Sequence, residues 1–307
     1  MLGSCAKTIF CASLLWISTQ APLALAKDAK IKIAATTTTL ASLAREIVGE
    51  RAEIHDIASP TQNIHFYQPT PKDVMKVKKA DILIHGGLDL EMWREPLIVA
   101  AGNPKFIGEA RAALDASEGI ELLEVPASLS RAEGDIHRFG NPHYWMDPEN
   151  MKRAVRNIEQ GLSRLFPDSQ EEFRKNAGSL TGRIDEKMRE WETRLKPWRG
   201  TSIVTYHKNW SYFAKRFGFE VAGQLEPKPG IPPTPKHLAE LEALMKEKGA
   251  KLIIKEAYQE SRTPKKIAEE TGAKVLTLAQ AVGETKEGRD YISMMEENIR
   301  LIEEALA

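Results

Sequence analysis

The stretch DSQEEFRKNAGSLTGRIDEKMREWETRLKP, residues 168–197, decides the fold. Phe173, Ala177, Leu180, Ile184, Met188, Trp191 and Leu195 follow one another at steps of three or four, close to the 3.6-residue helical period. One apolar or small face therefore runs its whole length. Pro167 interrupts the chain before it and Pro197 ends it. Nearly thirty residues at 1.5 Å each make a rod of about 40 Å, long enough to run the length of one lobe and join it to another.

On the N-terminal side of this rod, Asp147-Pro148 reads as an N-cap followed by proline at the first helical position. Met151, Ala154, Val155, Ile158, Leu162 and Leu165 then form a second apolar stripe. Further out, strand and helix signals alternate: strands at 30–35, 52–58 and 81–85, helices at 39–48, 71–79 and 90–101. Beyond the rod the alternation restarts, with strands at 202–206, 219–222, 251–255 and 274–278. Helices are expected there at 209–217, 235–248, 264–271 and 291–306. Strands separated by helices imply βαβ units and parallel sheets. The expected fold is α/β: two similar lobes with mainly parallel sheets, joined by a long rigid helix, with a ligand cleft between them. The expected division is an N-terminal lobe at 27–167, the linking helix at 168–197 and a C-terminal lobe at 198–307. A proline-rich loop, PKPGIPP at 227–233, interrupts the second lobe.

Residues 1–26 carry one charge, Lys7, then the apolar run IFCASLLWI at 9–17, and end in Ala24-Leu25-Ala26. That is the pattern of a cleaved secretory leader, and the run is short for a bilayer span of about 20 residues. Cleavage after Ala26 takes 26 of the 307 residues and leaves 281. It also removes both cysteines, Cys5 and Cys11, so the exported chain has no disulfide and relies on core burial. The full chain has 43 basic and 43 acidic residues, a balance unlike the basic surface of a nucleic-acid binder. With no mature cysteine, His, Asp and Glu are the available metal ligands.

Of seven histidines, three stand out by position. His65 follows the second strand, His143 lies in NPHYWMD just before the rod helices, and His207 directly follows the strand at 202–206. Ligands in open α/β sheets bind beyond the carboxyl ends of strands, so a cleft between the lobes would gather all three. Glu256, at the end of the strand 251–255, faces the same edge as His207 and is the candidate fourth group. Three imidazoles and a carboxylate suit Zn²⁺, whereas Mn²⁺ prefers more oxygen ligands. Asp135 and His137 lie in a polar loop that reads as solvated, with a weak second metal contact as the alternative.

The chain resembles the zinc- and manganese-binding solute-binding proteins of metal ABC transporters. The resemblance is carried, in order, by ATTTTLASLA at 35–44, His65 with YQPTPKD at 67–73, ADILI at 80–84 and LEMW at 90–93. NPHYWMDP at 141–148, Tyr206-His207, Tyr212-Phe213-Ala214, Phe217-Gly218, and YISMM at 291–295 with Asn298 complete it. It implies two α/β lobes bridged by a stiff helix and a metal held by His65, His143 and His207. Two departures stand out. Where many relatives carry an Asp ligand after the last strand, this chain has Gln280, which makes Glu256 the preferred fourth group and Gln280 or water the alternatives. The His- and acid-rich insertion of zinc-type relatives is reduced to Glu133, Asp135 and His137.

The resulting expectation is a monomeric periplasmic receptor, not an enzyme, that captures Zn²⁺ (Mn²⁺ second) and delivers it to a membrane permease. The rivals are an exported zinc hydrolase built on the three histidines and a binder of another small ligand such as a metal chelate. The sequence holds no His-Glu-x-x-His or Gly-x-Ser-x-Gly motif to favour hydrolysis. The stiff rod implies small rearrangements on binding, with metal release through movement of a loop or ligand.

Overall fold

The computed structural model describes residues 30–108, 112–126, 137–228 and 230–307. The expected leader at 1–26, Glu133 and Asp135 lie outside these residues.

Strand β1 (Ile31–Ala35) takes the centre of the first sheet because four of its five residues are apolar enough to be buried on both faces. It pairs in parallel with β2 (Ala52–Asp56) on one side and β3 (Ile82–His85) on the other. Ile33 stands opposite both Ile54 and Ile82. A three-residue strand, β4 (Ala113–Asp115), completes the order β2-β1-β3-β4. The crossovers are α1 (Thr38–Val48), α2 (Pro71–Lys79) and α3 (Arg94–Ala101). The second sheet repeats this permutation as β6-β5-β7-β8, again all parallel. Its strands are β5 (Ser202–Thr205), β6 (Glu220–Gln224), β7 (Leu252–Lys255) and β8 (Lys274–Thr277).

Between the sheets run α4 (Pro148–Leu165) and α5 (Gln170–Leu195). The 26 residues of α5 make a rod of about 39 Å. Its stripe is buried as the periodicity predicts, at Phe173, Ala177, Leu180, Ile184, Trp191 and Leu195, with Met188 only partly covered. The helix packs on α1 and α4, and also on α9 (Tyr291–Leu306) from the far end of the chain. One apolar core therefore runs from Ile33 in β1 through Leu43, Ile158 and Ile184 to Ile203 in β5 and Met294 in α9. Separate cores lie under the outer helices of each half, around Leu83 and Leu97 in the first and Ile253 and Met245 in the second. In the second half those helices are α7 (Pro235–Lys248) and α8 (Arg262–Thr271), while α6 (Ser211–Phe217) faces the shared core.

Two elements differ from the sequence reading. The helix expected at 90–101 begins at Arg94, because Glu91 turns inward. Its Oε1 accepts hydrogen bonds from the Gly86 amide (2.7 Å) and the Thr36 hydroxyl (2.5 Å). This ties residues 86–93 into a loop with Leu88 and Asp89 at φ of 56° and 58°. That conformation is uncommon away from glycine. The second difference is β4, too short and too weakly apolar to register as a strand from its sequence Ala-Leu-Asp.

Candidate metal centre

Each of the three histidines leaves a strand end or loop that a polar side chain holds in shape. His65 sits in a 3-10 turn at Ile64–Phe66, after β2, with its amide donating to Asn63 Oδ1 at 3.0 Å. His207 is two residues beyond β5. His143 follows Asn141, whose Oδ1 accepts from both the His143 amide (3.0 Å) and His143 Nδ1 (2.8 Å). The Asn141 amide nitrogen donates to Glu124 Oε2 and to the Lys208 carbonyl, both at 2.8 Å, which sets its orientation. With Nδ1–H committed to Asn141, the free lone pair of His143 is on Nε2.

The three rings converge. Their centroids are 5.0 Å (65 to 143), 5.4 Å (65 to 207) and 5.2 Å (143 to 207) apart. One ring nitrogen from each lies within 4.8 Å of the others, and the Nε2 atoms of His65 and His143 face each other at 2.9 Å. His143 and His207 are buried, and His65 is partly exposed. Burial, together with the neighbouring His207 and His137, holds His65 well below the ordinary imidazole pKa. Burial and the His65, His207 and His137 rings do the same for His143. Both are neutral near pH 7, the form that donates to a metal. His207 turns its Nδ1 to Glu226 Oε2 at 2.8 Å, which leaves Nε2 for the cluster.

Sequence spacing points to Glu256 as the fourth donor, yet among the described residues no carboxylate oxygen joins the three imidazoles within that 4.8 Å. Glu256 is fully buried behind the site. Its Oε1 accepts from Asn209 Nδ2 (2.8 Å) and Trp210 Nε1 (2.9 Å), and burial pushes its pKa up to about 7. Gln280 instead lines the cleft that His65 and His143 line. It is 8% exposed, and neither atom of its side-chain amide meets a partner among the described residues. The cleft encloses about 720 Å³, a figure that includes open solvent.

Two participants, Glu226 and Asn141, escape a reading by position alone, and a third, His137, lies in the loop that reads as solvated. Glu226 lies two residues past β6, as His207 does past β5, and the parallel register Thr205–Gln224 continues to bring them side by side. That register was the available signal for the pair. Asn141 carries the Asn-x-His spacing of a local side-chain turn, a signal short enough to be overlooked. His137 comes within 4.8 Å of the His65 ring, its Nδ1 donating to the Asp89 carbonyl at 3.1 Å. The solvated reading of this loop therefore does not hold for His137, which stands beside the cluster as the alternative reading has it.

The family model described as ZnuA, the zinc-uptake complex component A, periplasmic, matches residues 33–305. The chain belongs to this family. Relatives include the zinc-binding protein AdcA of Streptococcus pyogenes serotype M1, 26% identical over 300 residues. That alignment covers 94% of this chain but 58% of AdcA, so the chain spans little more than half the length of that relative. The iron-binding protein YfeA of Yersinia pestis is 29% identical over 276 residues, covering 87% of this chain and 83% of its own. A crystal structure of ZnuA superposes with a TM-score of 0.77 at 21% identity, covering 91% of this chain and all of that one. This likeness supports the two-lobed α/β architecture.

Proposed function

We propose that this member of the ZnuA family is the metal-capturing receptor of an ABC-type importer, that it binds Zn²⁺ in the cleft between its two sheets, and that it hands the ion to a membrane permease. The convergence of three imidazoles, two of them held neutral by burial, carries this reading. Nitrogen donors of this kind suit Zn²⁺, with Zn–N bonds of about 2.0–2.1 Å, better than Mn²⁺, which favours oxygen. The metals named for relatives, zinc for AdcA and iron for YfeA, support a transition-metal cargo. His65, His143 and His207 are the metal ligands on this reading, and Glu256 stands behind them as a buried acceptor for Asn209 and Trp210. Export through the leader at 1–26, with Lys27 as first mature residue, places the receptor in the periplasm.

Titration of metal-stripped protein against a chromophoric chelator tests the reading. One Zn²⁺ per chain is expected, bound more tightly than Mn²⁺. His65→Ala, His143→Ala and His207→Ala should each weaken zinc on the order of 100-fold or more, since each removes a donor. Wild-type zinc affinity in all three variants, or no zinc binding by the parent, would contradict it.

A further inference from the structure

Three imidazole nitrogens bring no negative charge to a divalent ion, and the walls of the cleft beside them do not offset its charge. No Asp, Glu, Lys or Arg is among the residues that line the cleft. Glu226 is engaged on the far nitrogen of His207, and Glu256 binds Asn209 and Trp210 through its Oε1 while its buried Oε2 meets no partner among the described residues. The lining is instead rich in uncommitted polar atoms. The Thr38 hydroxyl, Asn209 Oδ1 and both side-chain atoms of Gln280 are buried without a partner among the described residues. Leaving such atoms unsatisfied is costly, and native structures keep few of them without a reason.

Thr38 and Gln280 belong to the end of this lining at the N-terminus of α1. Thr38 and Thr39 are its first helical residues, so their amides have no intrahelical acceptor. The chain just past Gln280 touches this end, with the Val282 amide donating to Thr39 Oγ1 at 3.2 Å. Trp145 Nε1 holds the Gln280 carbonyl at 2.9 Å. A helix N-terminus, a hydroxyl and a carboxamide N–H facing one cavity are the donors that receive a small anion.

We propose that the cleft binds its metal together with a small carboxylate-type oxyanion, whose one oxygen is the fourth donor to the metal and whose other oxygen rests on Gln280 Nε2, the Thr38 hydroxyl and the first amides of α1. The inference builds on the metal-receptor reading above. A planar oxyanion suits the site better than a halide because it offers one oxygen to the metal and a second to the donors of the lining. The anion also lowers the charge of the bound complex by one, a task no side chain of the lining performs.

The test is zinc affinity of the metal-stripped mature chain, measured by chelator competition in a non-coordinating buffer. Ionic strength is held constant with perchlorate while acetate, or in a second series bicarbonate, is raised into the millimolar range. Zinc affinity should rise by about tenfold, equivalent to about 1.4 kcal/mol. Free carboxylate competes for zinc in bulk and pushes the apparent affinity down, so a rise has only the ternary complex as its source. A response to acetate assigns the site to organic carboxylates, and a response to bicarbonate alone assigns it to carbonate. Gln280→Leu should lose the rise, whatever its affinity without added anion. Gln280→Asp should bind tightly with no dependence on added anion, its own carboxylate taking the place. Should the Gln280 variants fail to fold, the wild-type titration still decides. Tight zinc binding that is flat in both anions would overturn this inference alone. No zinc binding under any condition would overturn the receptor reading on which it rests.

Discussion

At the residue scale, the histidines act through the atoms behind them. Asn141 accepts from His143 Nδ1 and Glu226 from His207 Nδ1, and each contact fixes which nitrogen faces the ion. Asn141→Ala and Glu226→Gln should therefore each weaken zinc by about 10- to 100-fold while leaving one site per chain. Isothermal titration with a competing chelator reads this directly, and an unchanged affinity in both variants would mean that packing alone orients the rings. The same geometry sets the pH response. The folded-state values of His65 and His143 lie well below the ordinary imidazole pKa, so protons compete with metal at these two only when the pH is well below about 6.5. Three ordinary imidazoles would make log Kd approach a slope of three protons below that pH. Here the slope between about pH 7.5 and about pH 6 should stay below two. The metal-free fold shows the linked effect. The unfolded chain binds more protons at these positions, so they contribute stability above about pH 6.5 that is lost as the pH falls toward their folded values.

At the element scale, α5 carries the architecture, and its legibility in the sequence has a plain cause. An apolar residue at every third or fourth position from Phe173 to Leu195 allows one buried face, and that face is what the structure buries. The strands were legible for a related reason, since fully covered parallel strands carry continuous apolar runs such as Leu252-Ile253-Ile254. The loop at 86–93 was not, because helix-compatible residues there are overridden by the contacts of one buried carboxylate, Glu91. Of the site, His65, His143 and His207 were legible as strand-end or junction histidines. The place of Glu256 was not, since a strand end gives the edge of a sheet but not whether the side chain faces the cleft or the core. Trp191 tests the role of α5. It is wholly buried and donates to Glu296 on α9 at 2.9 Å. Trp191→Ala should cost about 3–5 kcal/mol. Denaturant unfolding followed by far-ultraviolet circular dichroism should keep a single transition at a lower midpoint. A variant that melts in two steps while the parent melts in one would show that the halves are coupled mainly by this side chain.

At the scale of the whole molecule, the continuous core from Ile33 to Met294 ties both sheets to α4 and α5. A wide hinge would have to break that core, so metal entry and exit fall to local parts, the 86–93 loop and the His137 contact beside His65 among them. Solution scattering should accordingly give the same radius of gyration for stripped and zinc-loaded protein, and a large contraction on loading would point to domain closure instead. Loading should nonetheless stabilise the whole fold, by about 4 kcal/mol at a free zinc concentration a thousand times Kd. The most direct test of the account is X-ray absorption at the zinc edge of protein loaded with one equivalent. It should show three imidazole nitrogens at about 2.0–2.1 Å and one oxygen donor at about 2.0–2.2 Å. A shell with one imidazole or none, in protein that still holds its zinc, would contradict the assignment of His65, His143 and His207 as the site.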